Sequence, residues 1–167
     1  AARVSLDIAR DRRQDTGHAE DELQKALWRA ADLAQKGNDH LRAHSEQDAE
    51  LKATIAEADR EAAAFALDEV RHHRDNIRLV QDPGFAARRG YTVHDEDPSE
   101  HINLDHEHQS LANALDRAAQ LGIEGNQFIL EAAEKNRALK TTIERLQQNA
   151  DQQSALNRAQ EALGAVD

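Results

Sequence analysis

The chain has 167 residues, a formal net charge of -11, 39% hydrophobic residues, 32% charged residues, one Trp, one Tyr, three Phe, and neither cysteine nor methionine. That acidity argues against nucleic-acid binding, where Lys and Arg must neutralise phosphates, and against an anionic membrane surface. Without cysteine there is no disulfide framework or thiol chemistry, and no apolar run approaches the length of about 18 residues that a membrane helix needs.

Apolar residues are few but periodic, which separates the chain from a disordered polar tract and points to rod-like helices with Leu and Ala in the seam. One domain over 1-167 is expected, an all-α, elongated antiparallel four-helix bundle or coiled coil. No initiator methionine or signal peptide is present, so the expectation is a processed chain or excised fragment whose flanking segments are not shown.

The first helix is expected near 3-36, with Thr16-Gly17 as a kink inside a polar stretch. Gly37-Asn38-Asp39 is a stop and restart, Gly37 capping one helix and Asp39 opening the next. A second helix follows over 39-81, with Leu51, Ile55, Ala58, Ala62 and Phe65 in its apolar row, shifting to Ala66, Val70, His73, Ile77 and Val80. Pro83-Gly84, Gly90 and Asp97-Pro98 make 82-98 a connector, because these breakers cannot all sit inside one helix.

A third helix is expected near 99-121 with Leu104, His108, Leu111, Leu115 and Ala118 in its row. Gly122-Ile123-Glu124-Gly125 is a softer break, either a turn or a kink. The fourth helix, near 126-164, carries Ala132, Asn136, Leu139, Ile143, Leu146 and Ala150. Steps of three and four in every row give knobs-into-holes packing, and the second and fourth rods would be roughly 60 Å long at about 1.5 Å per residue.

Few residues carry chemistry. His40 and His44 lie four apart, as a metal pair would, but no neighbouring carboxylate completes a ligand set, so no metal is expected. The run from Ile102 to Leu111, with Asp105, His106, Glu107 and His108, resembles the hemerythrin signature slightly, yet no histidine follows His108 to supply the later ligands. No Ser-His-Asp order, phosphate loop or distinguished carboxylate pair is present, so neither an enzyme nor a cofactor is expected.

Polar seam residues are more informative. His73 and His108 stand at similar distances from the connector and are expected to face one another across the seam, fixing register or, alternatively, holding a small polar ligand or metal. Arg71, Arg74 and Arg78, spaced i, i+3 and i+7, share a helix face. They either complement a helix C-terminus or form a site for a small anion, extended by His72, Arg88 and Arg89. Self-association as a homodimer is also expected, since so lean a core buries little surface.

Ala9-Arg10, Asp15-Thr16-Gly17-His18, Leu23, Leu27, Leu33, Leu51, Ile55 and Phe65-Ala66-Leu67 together resemble the helical extracytoplasmic sensor domains of bacterial chemoreceptors and sensor kinases. The chain departs from that pattern at His18, where an acid is usual, and at Ala63, where a Tyr often precedes the Phe. The resemblance implies a periplasmic or extracellular ligand-sensing domain of a transmembrane receptor, paired as a dimer and joined to the membrane only through flanking segments. It carries over no ligand residue. A non-enzymatic coiled-coil component of a secretion or conjugation system is the alternative.

Overall fold

Asparagine and aspartate open most of the helices, and glycines in left-handed backbone close three of them. The computed structural model describes residues 17-91 and 101-164, and every element among them is helical. In chain order these are α1 (Gly17–Gln35), α2 (Asp39–Ser45), α3 (Ala49–Gln81), α4 (Pro83–Arg88), α5 (Leu104–Ile123), α6 (Gln127–Lys135) and α7 (Arg137–Gly164). The all-α class is as expected; among the described residues seven helices take the place of four. The expected Thr16-Gly17 kink and the break at Asp97-Pro98 fall at or outside the described residues.

Gly37 and Gly125 adopt φ of 84° and 95°, where a side chain would be strained. After each, a paired set of backbone bonds closes the preceding helix: Gly37 N–H donates to Ala34 O and Asn38 N–H to Leu33 O, while Gly125 donates to Gly122 O and Asn126 to Leu121 O. The following asparagine then starts the next helix. Asn38 Oδ1 accepts from Leu41 N and Asn126 Oδ1 from Ile129 N, each at 3.2 Å. The N-cap of α2 is therefore Asn38 rather than Asp39, and Gly122–Gly125 is a turn.

Two further breaks interrupt rods expected to be continuous. Asp48 Oδ1 accepts from Glu50 N and Leu51 N, separating α2 from α3. Asn136 takes extended backbone, with φ -128° and ψ 96°, and its Oδ1 accepts from Leu139 N. It ends α6 and caps α7, and so is a cap rather than a plain seam residue.

Two compact units divide at Glu61. In the first, Ala31 and Ala34 of α1 pack with Leu51, Ile55 and Ala58 of α3, flanked by Leu27 and Leu41. Beside this cluster Arg42 grips Asp59 with both terminal nitrogens, at 2.8 and 3.1 Å, and Asp59 is only 5% exposed.

The second unit packs Ala63, Ala66 and Val70 of α3 with Ala114, Ala118 and Ala119 of α5, Ile129 and Ala133 of α6, and Leu139 and Ile143 of α7. Alanine at so many contact positions lets helix backbones approach closely, so a core with few large side chains still excludes water. Ion pairs from Arg117 to Glu69 and from Arg145 to Asp116 link neighbouring helices at the rim of this unit. The α7 segment from Gln147 to Glu161, including Ala150, is exposed on every face.

Two rows differ from the expected ones by one position. Along α3 the buried row passes from Ala58 to Ala63, Ala66 and Val70, so Phe65 is left 69% exposed. Along α5 the inward row runs from Leu104, Glu107 and Leu111, each half-buried, to the buried Ala114 and Ala118, and His108 lies exposed.

Candidate functional site

The C-terminal half of α3 and the short helix α4 enclose a cleft of about 520 Å³. Local chemistry builds it. Asp82 caps α4 by accepting from Phe85 N at 3.0 Å, with Pro83 occupying the first turn where no amide hydrogen is needed. That backbone hydrogen bond holds the Asp82 carboxyl below its ordinary value against a small opposing effect of burial, with Arg78 assisting. Gly90 ends the turn at φ 92°, Tyr91 N–H bonds Ala86 O, and Tyr91 is thereby returned to the cleft wall.

The floor is apolar and aromatic, from Leu79 and Phe85. Arg78 lies over the Phe85 ring at 4.2 Å and Arg89 at 5.3 Å, so the ring faces two cations. Around the mouth stand Arg71, His72, Asn76 and Arg89. Arg71 pairs with Asp68 at 3.4 Å and Arg89 with Asp75 at 3.2 Å, while the two arginine side chains remain 63% and 60% exposed. Exposed pairs of this kind are worth about 0–1 kcal/mol, so a ligand can exchange for the carboxylates at little cost.

Of the three arginines singled out from the sequence, Arg71 lines the cleft. Arg74 does not, its Nε standing 4.0 Å from Asp75, and Arg78 serves the Phe85 ring and Asp82. Arg89 and His72 also line the cleft, and Arg88 does not. Asp75, Phe85 and Tyr91 were missed by sequence reasoning; only the folding of α4 back onto α3 brings Phe85 and Tyr91 near Arg71.

His73 and His108 do not meet. His73 Nδ1 lies 2.7 Å from Glu107 Oε2, and the Glu107 carboxyl is held below its ordinary value: burial raises it, but hydrogen bonds from His73 and Asn76 and the nearby histidine charges outweigh that effect. His73 is thus a structural partner of Glu107, one helix turn from the cleft residue Asn76. Among the described residues no group of three His, Cys, Asp or Glu side chains is placed to hold a metal ion, and His40 and His44 are exposed on α2. No described helix is long and apolar enough to cross a membrane.

Set beside known protein families, curated proteins and solved structures, the chain matches none. The sensor-domain resemblance therefore rests on the quoted residues alone, and what stands is an all-helical protein.

Proposed function

We propose that the chain is a ligand-sensing helical domain, extracytoplasmic and part of a signalling receptor, whose ligand is a small organic anion seated between α3 and α4. The observation that carries this reading is that Arg71 and Arg89 line one cleft together with Phe85, whose ring Arg89 lies over at 5.3 Å. A guanidinium grips a carboxylate or phosphate through two parallel hydrogen bonds, each charge-assisted bond being worth about 1.5–3 kcal/mol. The bonds to Asp68 and Asp75 are of the same kind but single and exposed, at 3.4 and 3.2 Å, and an anion held by both guanidinium groups at once would replace two separate weak pairs, although the net charge of -11 repels anions at a distance. The cleft volume lies in the range of small-molecule sites, and its apolar floor favours an anion with a carbon skeleton over a bare inorganic ion.

The test is thermal. Small carboxylates, dicarboxylates and phosphate esters are added to the protein, and a ligand at about a hundred times its dissociation constant should raise stability by roughly 2.7 kcal/mol. A melting temperature unmoved by the whole panel would refute the reading. The alternative, a non-enzymatic coiled-coil component, is favoured by the solvated Gln147 to Glu161 segment of α7, a helical stretch without a packed face among the described residues.

A further inference from the structure

Phe65 is the most exposed large hydrophobic side chain of the described residues, in a chain with only three phenylalanines. It lines a shallow groove of about 530 Å³ between α3 and α5, together with Ala62, Ala66, Gln120 and Leu121. At the rim Glu69 of α3 and Arg117 of α5 form a 2.9 Å ion pair, with Arg117 59% exposed. Aromatic anchors surrounded by small apolar residues and ringed by polar groups are the usual centres of protein interfaces.

We propose that this face is where two copies of the chain meet, paired about a two-fold axis through the groove. An isologous contact demands that one surface contain both a projection and its own receptacle, together with charges of both signs. The face has all three features. Phe65 is the projection, the alanine-lined groove with Leu121 receives it, and Glu69 of each copy lies opposite Arg117 of the other. The local charge of the rim pair is zero, so this face escapes the repulsion that the net charge of -11 imposes elsewhere, and at physiological salt charges beyond about 8 Å are screened.

The patch is small. Two buried phenylalanines must offset the loss of rotational and translational freedom, so the dimer is weak and shows itself only at high protein concentration, up to several hundred micromolar. This dimer is independent of the ligand cleft.

Sedimentation equilibrium of the full chain decides the matter, with three variants. The parent should associate reversibly across that range, and Phe65→Ser should remain monomeric with an unchanged circular dichroism melt. Glu69→Arg and Arg117→Glu, which each place like charges at the rim, should each be monomeric alone, and an equimolar mixture of the two should associate, because the charges are complementary across the axis. A parent that stays monomeric at several hundred micromolar, a Phe65→Ser chain that still dimerises, or a mixture that fails to associate would overturn the proposal. A strictly monomeric parent that binds a different protein through Phe65 would overturn it as well.

Discussion

His73 on α3 is held by Glu107 on α5, with 2.7 Å between Nδ1 and Oε2 and the two side chains 19% and 13% exposed. A partly buried carboxylate stripped of its partner loses much of the interaction that keeps it charged. His73→Ala should therefore cost about 1–3 kcal/mol in chemical denaturation, whereas His108→Ala, at an exposed position, should fall within about 0.5 kcal/mol of the parent.

Because the folded state lowers the Glu107 value below its ordinary 4.5, this carboxylate stabilises the protein above that pH. The contribution is lost as pH falls through the folded value. Stability measured between pH 6 and pH 3 should fall less steeply in Glu107→Gln than in the parent. Asp82 shifts in the same direction but is common to both proteins, so it cancels in the comparison. Parallel acid limbs would contradict the prediction.

Asp59→Ala would leave the Arg42 guanidinium half-buried and without its bidentate partner, costing about 3 kcal/mol. Replacing both residues by apolar ones of similar size, Arg42→Met with Asp59→Leu, should recover most of the loss. A double-mutant cycle in urea separates the two outcomes, and strict additivity would show that the pair does not couple.

Gly122 is buried near the end of α5, and a methyl group there would stand 3.0 Å from Ile129 Cγ2 and 3.3 Å from Ile143 Cδ1. Alanine normally gains about 0.5–1 kcal/mol over glycine inside a helix. Ile129 is fully buried and cannot move aside, so overpacking outweighs the gain and Gly122→Ala should destabilise by about 1 kcal/mol. A raised melting temperature would contradict this.

What the sequence made legible follows from how strongly each position constrains the backbone. Gly37 and Pro83 act through their own covalent structure, so the breaks beside them could be read directly. Asp48 and Asn136 act through side-chain hydrogen bonds that asparagine and aspartate make at caps but also forgo in mid-helix, so those two breaks left no unambiguous mark. Register was ambiguous for a related reason. In α5 both Leu104-His108-Leu111-Leu115-Ala118 and Leu104-Glu107-Leu111-Ala114-Ala118 keep steps of three and four, and packing against α3 and α7 chose the second. The same kind of slip put Phe65 outside the core. For the cleft, Arg71 and His72 were visible as neighbours on one helix, while Phe85 and Tyr91 reach it only because the Asp82 cap and the Gly90 turn fold α4 back.

The most direct measurement of the ligand cleft is the calorimetric titration of whichever organic anion most raises the melting temperature, into the parent and into Arg71→Ala, Arg89→Ala and Arg74→Ala. Arg71 and Arg89 line the cleft and Arg74 does not. Removing either lining arginine should weaken binding by about tenfold or more, equivalent to at least about 1.4 kcal/mol, while Arg74→Ala binds as the parent does. Equal affinity in all four proteins, or a loss confined to Arg74→Ala, would contradict the assignment of the cleft as the anion site.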